Sequence, residues 1–425
     1  MTFNEIRDGL FARGRFGIRP GLETVCTILH RLGNPQRQFP VVHIAGTNGK
    51  GSTAAFLASI LREGGYRTGL FTSPHLISVT ERFRINGVEL SRDAFVPLAE
   101  EVLAVAPPEA TFFELVTAIS LLSFAREKVE LALLEVGMGG RLDATNAVPG
   151  ILSIITPVSL DHCRYLGDTV KEIAGEKAGI ISGAGPVVSS SQDEEAFSVI
   201  AATSAARGVP LFCCGREFRA QWRQERLDYH GLHGSFLGLQ PGIPGDYQAD
   251  NAACALAAAE LLTEQGFPSV SSSLATGIRA ASWPGRMELF PGPPRLLLDG
   301  AHNPAGVAAL LVSLKRIPRQ RLILLVGVMA DKDREGVLGP LMAAAQEVIV
   351  VTVDLPSATP TVELEALCVA QGGRRVVAMG NVAQGVALAS QRAGADDLIL
   401  VTGSLHLVGE VRGLLLHQPA LLFQG

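Results

Sequence analysis

The sequence has no excess of positive charge: 36 Lys and Arg stand against 41 Asp and Glu, a formal net charge of −5. Nothing electrostatic therefore selects for nucleic acid or for an anionic membrane surface. No uninterrupted apolar run reaches the roughly 18 residues needed to span a bilayer. The opening, MTFNEIRDGLFARGRFG, lacks the apolar segment and small-residue cleavage site of a secretory signal, so a soluble, cytoplasmic protein is expected. The six cysteines (Cys26, Cys163, Cys213, Cys214, Cys254 and Cys368) show no C-x-x-C spacing. That argues against a zinc site or a disulfide framework and for reduced, mostly buried thiols. The final LLFQG reads as a protease-site scar and carries no weight.

What is abundant describes a packed globular chain rather than a disordered one: 47% hydrophobic against 18% charged residues, with 46 Gly and 24 Pro spread throughout. At 425 residues two domains are expected. Short apolar runs alternate with helical patterns, which predicts an α/β fold with a largely parallel sheet. The first part offers strands at Val41–Ala45, Thr68–Phe71, Leu131–Val136 and Ile151–Thr156. Pro210–Leu239 reads as β-hairpins, and ADNAACALAAAELLTEQG as an Ala-rich helix closed by Gly266. The Pro/Gly cluster Trp283–Arg295 reads as the linker. Beyond it RLLLD, RLILLVGV, EVIVVTV, RRVVAM and DLILVTG restart the alternation as a smaller α/β domain. We place the boundary between 1–288 and 289–425.

Four stretches carry chemistry. VVHIAGTNGKGSTAAFLASIL is a strand, a glycine turn and a helix, the context of a phosphate-binding loop. Backbone N–H groups at the helix start, together with Lys50, suit an anion. Gly51 stands where such loops place the Ser or Thr that holds magnesium. LALLEVGMGGRLDATN ends a strand in Glu135, a carboxylate costly to bury without a cation nearby, hence the first metal candidate. ILSIITPVSLDH ends the next strand in Asp161 and His162. LLLDGAHNP ends a strand in Asp299 and His302, with Asn303 at the helix cap and Pro304 at the first helical position. GDTVKEIAGEKAGII reads as a helix capped by Asp168 and stopped near Gly179; on spacing alone its Lys177 only opposes the helix dipole.

In this order AGTNGKGS, FTSPHL, ERFRING, FFELVTA, EVGMGGRLDATN, LDH with IAGEKAGII, WPGRME, LDGAHNP and GSLHLVGEVR resemble the folylpolyglutamate synthase/dihydrofolate synthase family, a branch of the Mur ligases. The resemblance implies a P-loop ATPase domain followed by a smaller Rossmann-like domain. It also implies ATP-dependent addition of L-glutamate to dihydropteroate, to (tetrahydro)folate polyglutamate or to both, through an acyl phosphate. Gly46, Thr47, Asn48, Gly49, Lys50, Gly51 and Ser52 would cradle the ATP phosphates, and Asn251, Arg286, Asp299 and His302 would contact the nucleotide. Ser73 and Glu135 would bind one magnesium ion, and His162 would help bind a second. Lys50, His162 and Lys177 would be catalytic, Lys177 as a carbamate. Phe113, Asp143, Ser404 and His406 would face the substrates. Tyr247 stands where His is common and His406 where Tyr is common. The implied partners are small molecules only, acting on a monomer. The rival is a cell-wall Mur ligase acting on a UDP-linked acceptor, against which GKGS, GGRLDATN and the short stretch before the glycine turn all speak. A P-loop switch that ligates nothing explains the opening motif but not Glu135, His162, Lys177 and His302 together.

Overall fold

The computed structural model describes residues 1–17, 21–418 and 420; the expected scar at 421–425 lies outside the described residues. Eight strands form the first sheet: β1 (Val41–Ala45), β2 (Thr68–Phe71), β3 (Phe83–Ile85), β4 (Val88–Glu89), β5 (Leu131–Glu135), β6 (Leu152–Ile155), β7 (Val187–Ser189) and β8 (Leu211–Cys213). Their order is β4-β3-β2-β5-β1-β6-β7-β8. It is parallel except where β3 and β4 turn back along the β2 edge. Alternation of side chains splits each central strand between two cores. Leu131 and Leu133 pack with helices Lys50–Glu63, Gln248–Glu264 and Val270–Ala280. Ala132 and Leu134 pack with helices Phe3–Ala12, Glu23–Arg31, Arg92–Val105 and Phe112–Arg126. The sheet is therefore covered on both faces, as near-continuous apolar strands require.

A small antiparallel sheet, β9 (Arg219–Arg223), β10 (Arg226–His230) and β11 (Ser235–Leu239), follows. The expected hairpin region is thus a three-strand meander, but its first strand, β8, pairs in parallel with β7 and belongs to the large sheet. The last sheet has β12 (Glu288–Phe290), β13 (Arg295–Leu298), β14 (Leu322–Val326), β15 (Glu347–Val350), β16 (Val376–Ala378) and β17 (Leu398–Thr402), in the order β12-β13-β17-β14-β15-β16. It too divides its strands, with Leu322, Leu324 and Val326 in one core and Ile323 and Leu325 in the other.

Three local expectations need correction. The helix Val170–Ala178 is capped by Thr169, not Asp168, because Thr169 and Glu172 form a reciprocal capping box. Trp283–Arg295 is more than a linker: it contains β12, an antiparallel edge strand paired with β13. A boundary after residue 288 consequently falls inside that strand. Among the described residues no helix is long and apolar enough to cross a membrane, and all six cysteines are free thiols, four of them buried.

Candidate active site

Strand order brings the candidates together. β1 pairs with β5 on one side and β6 on the other, with Ile44 opposite Glu135 and Ala45 opposite Ile155. The loops leaving the carboxyl ends of these three strands are therefore neighbours, at the place where open parallel sheets bind ligands. In the second sheet β17 lies between β13 and β14. The loops after Leu298, Val326 and Thr402 are grouped in the same way.

The turn after β1 is built for close approach. Gly49 sits at φ 89°, in the left-handed region, as the cap of the helix Lys50–Glu63; a Cβ there would also collide with the buried Asn251 carboxamide. Asn251 Nδ2 donates to Gln248 Oε1 at 2.8 Å, and Gln248 Nε2 donates to Ser52 Oγ at 3.3 Å, so the helix Gln248–Glu264 braces the turn. Two lysines meet at one carbonyl: part-buried Lys50 Nζ donates to Gly46 O at 3.1 Å and buried Lys177 Nζ at 2.8 Å. Lys50 also donates to Thr47 O at 3.2 Å. Burial, followed by the charge of Lys50, lowers the Lys177 pKa to about 7. Its amine is thus partly neutral near physiological pH.

Glu135 is buried beside them, its Oε2 accepting the Ser73 N–H at 3.0 Å. Burial pushes its carboxyl up, and Lys50 and the Ser73 N–H oppose the shift. The Ser73 hydroxyl has no hydrogen-bond partner among the described residues, and Ser73 and Glu135 line the same cleft with Gly51, Trp283 and Arg286. His162 is held at φ 53° with its N–H donating to Asp161 Oδ1 at 2.8 Å. Although His162 as a residue is exposed, desolvation of its ring by the surrounding loops and then Lys332 lower the ring to about 4, so the imidazole is neutral, the form that binds metal ions. Among the described residues no three His, Cys, Asp or Glu side chains form a ready cage. A divalent ion held by Ser73, Glu135 or His162 would complete its shell with phosphate and water oxygens, as magnesium does.

The second sheet closes over this cleft through Asp161. The Asp161 carboxylate accepts from Lys332 Nζ at 2.6 Å and Asn303 Nδ2 at 3.2 Å, and His302 Nε2 lies 3.6 Å away. Burial disfavours its charge, yet the His302 contact, His162 and Lys332 hold the carboxyl far below the ordinary range. Asn48 and Asn303 exchange two side-chain hydrogen bonds of 3.1 Å, fastening the glycine turn to the second sheet. Arg286 faces the cleft, with Nη1 donating to Gly285 O at 3.0 Å. Asp299, expected to reach for the nucleotide, accepts from Tyr247 OH at 2.8 Å, Met287 N at 3.0 Å and Ala301 N at 3.0 Å.

The residues expected to face substrate are less alike. Asp143 is fully engaged locally, accepting from the backbones of Gly137, Met138 and Thr145 and from the Thr145 hydroxyl. Phe113 packs against Gly137 and lies 5.8 Å from Phe71, ring to ring. Ser404 Oγ accepts the His406 N–H at 3.1 Å as a helix cap. Burial, Arg82 and His302 lower the His406 ring to about 4, which places it near both.

Residues 44–259 match the family described as Mur ligase middle domain, and 285–405 that described as Mur ligase, glutamate ligase domain. The dihydrofolate synthase/folylpolyglutamate synthase of Bacillus subtilis is 32% identical over 426 residues, covering 97% of this chain and 98% of that protein. The chain belongs to the dihydrofolate synthase/folylpolyglutamate synthase family. Family members of known structure share the whole fold. Escherichia coli FolC in complex with DHPP and ADP is 31% identical with a TM-score of 0.87, covering 97% of this chain and 98% of that one. Mycobacterium tuberculosis folylpolyglutamate synthase complexed with ADP is 32% identical with a TM-score of 0.90, covering 98% and 99%.

Sequence reasoning missed Lys332, Arg82 and Trp283. Lys332 follows the second-sheet strand RLILLVGV, and the strand-end rule applied to Glu135 would have found it. Arg82, buried with Nε donating to His75 Nδ1 at 2.9 Å, gave no signal, since residue type does not reveal burial. Trp283 explains Gly51. A Cβ at Gly51 would sit 2.9 Å from the indole nitrogen and 3.1 Å from its ring carbons, so the indole occupies the space a Ser or Thr would need. Gly51→Ser, which restores the commoner P-loop spelling, is therefore expected to lower stability by about 1–3 kcal/mol through overpacking and to reduce turnover. Adding Trp283→Ala should recover the stability in denaturant melts. A stable single variant would show that the indole yields freely.

Proposed function

We propose that this chain is an ATP-dependent ligase that joins the amine of L-glutamate to the carboxylate of dihydropteroate, of (tetrahydro)folate polyglutamate, or of both. ATP transfers its γ-phosphoryl group to the acceptor carboxylate with release of ADP. The glutamate nitrogen then attacks the acyl carbon, phosphate departs and an amide remains. The observation that carries this reading is the meeting of Lys50, Lys177, Glu135 and His162 at adjacent strand ends, with His302 and Arg286 facing them.

Each group has work suited to its surroundings. The helix start at Lys50 and the Lys50 ammonium bind phosphate oxygens. Magnesium at Ser73 and Glu135, with a second ion at His162, would neutralise charge between the two anionic reactants. The oxygen donors, a buried carboxylate and a free hydroxyl, fit a hard cation, and the neutral His162 imidazole adds a borderline nitrogen donor. Lys177, with an amine partly neutral near pH 7, can add to carbon dioxide and lose a proton, becoming a carbamate. Arg286 orients the nucleotide from the segment that leads into β12, and His302 from the second unit. All of these groups come from one chain, so a monomer suffices, and the cytoplasm supplies its substrates.

The test is incorporation of labelled glutamate by purified protein, with dihydropteroate and tetrahydrofolate assayed side by side and ADP release followed. ATP-dependent incorporation into at least one acceptor is expected. Ligation onto a UDP-muramyl acceptor, with none onto either pterin, would overturn the reading.

A further inference from the structure

A second cleft adjoins the catalytic one. The narrow cleft at Gly51, Ser73 and Glu135 shares Glu81, Arg84 and Pro284 with a neighbouring space of about 690 Å³. One wall of this larger space comes from residues 77–92, along the antiparallel edge of the first sheet. The rest of the lining includes Pro284 and Arg412. A volume of this size lies in the range that encloses extended small molecules.

Its lining is unusual in charge. Arg412 is paired, its Nε donating to both Glu288 oxygens at 3.0 and 3.1 Å. Arg84 and Arg92 form no ion pair among the described residues. The half-buried Arg84 guanidinium lies 5.3 Å from the Trp283 ring centroid, and exposed Arg92 lies 4.8 Å from that of Phe3. The acidic side chains of the same wall already have partners. Glu81 accepts the N–H groups of Leu76, Ile77 and Ser78, and Glu89 accepts the Thr80 hydroxyl. Arg84 Nε donates to Glu81 O at 3.4 Å, which leaves its two Nη groups, and the Arg92 guanidinium, to bind carboxylates by paired hydrogen bonds, a geometry that a planar guanidinium fits and an ammonium does not. They stand in series, Arg84 where the two clefts meet and Arg92 in the outer one.

We propose that the outer cleft is a subsite for the anionic tail of the acceptor. A run of glutamyl residues with free carboxylates leads from the reacting end, near Glu135 and Lys50, past Arg84 to Arg92. This rests on the ligase reading above. Each added residue brings one more carboxylate to the arginines, so acceptor affinity rises with tail length until the cleft is filled. The contribution of exposed Arg92 weakens with salt.

Steady-state kinetics with folate acceptors carrying one, three and five glutamates tests this on the full chain, comparing wild type with Arg92→Gln and Arg92→Lys at two ionic strengths. Wild-type KM is expected to fall as the tail lengthens. Arg92→Gln should raise KM for the longer acceptors about fivefold, the equivalent of roughly 1 kcal/mol. It should leave kcat, and KM for ATP and the one-glutamate acceptor, within about twofold, and Arg92→Lys should recover part of the loss. KM independent of tail length in wild type would overturn the proposal. So would an Arg92→Gln effect equal on all acceptors, or one confined to KM for free glutamate, which would assign the cleft to the incoming amino acid. Wild-type protein that glutamylates no acceptor would remove the ligase reading and the subsite with it, a result distinct from ligation that ignores the tail.

Discussion

Replacing Lys177 with Met is expected to cut glutamate incorporation by roughly 10²–10³-fold, the range for loss of one preorganised charged group at a reacting centre, while making the protein more stable near pH 6. The two effects share one cause. Lys177 is 4% exposed and its ammonium meets Gly46 O beside a second, part-buried ammonium, Lys50. Burial first, and Lys50 next, bring its pKa from 10.5 to about 7. In the unfolded chain the side chain returns to its ordinary value, so between pH 7 and 10.5 the unfolded state binds more protons than the native one. Stability therefore rises with pH through that window. Below about pH 7 the full penalty, about 5 kcal/mol from the size of the shift, is present. A Met of similar length removes it, and denaturant melts at pH 6 and pH 9 should show the variant gaining most at the lower pH and roughly half as much at the higher, where the unfolded lysine is still protonated. Lys177→Arg separates the chemical roles. It keeps a cation but cannot form a carbamate, so an Arg variant as inactive as the Met variant supports the carbamate. An Arg variant with near-normal turnover would return Lys177 to a simple cationic role.

Much of the fold was legible because its strands are buried on both faces. Val41–Ala45 and Thr68–Phe71 are observed with the expected bounds, since near-continuous apolar runs closed by glycine or polar turns leave little freedom in placing a strand. The site's first half was legible for a related reason: Glu135 ends a strand, Lys50 and His162 lie in or beyond the loops that follow two others, and parallel pairing makes strand ends neighbours. The Thr169 cap was misread because two adjacent residues could both cap, and only the partner at Glu172 decides between them. Asp161 was seen and its partner was not. The Lys332 ammonium lies 171 positions away in sequence, and the register of two separate sheets, rather than any local pattern, brings the charges together. Trp283 escaped for the same reason, since a residue in a Pro/Gly cluster reads as a link until the turn it packs against is known.

That distant pair carries the second large effect. Lys332→Met should destabilise the protein by about 3–5 kcal/mol, the cost of leaving one member of a buried ion pair without its partner. Asp161 and Lys332 side chains are 8% and 10% exposed, with 2.6 Å between them. Without Lys332, Asp161 retains the Asn303 amide and the His302 ring, but loses its full positive charge. Stability is expected to recover substantially in the double variant Asp161→Asn/Lys332→Met, because no uncompensated charge then remains between the sheets. Turnover should not recover with it. Asp161 Oδ1 accepts the His162 backbone N–H and Oδ2 faces His302, so the same carboxylate that holds the second sheet against the first also fixes the backbone that carries the His162 imidazole. Denaturant melts and turnover measured on the three variants resolve the two roles. A double variant that regains activity along with stability would reduce Asp161 to a fastening between sheets. A Lys332→Met protein as stable as wild type would show that the loops part readily and that the pair fastens nothing.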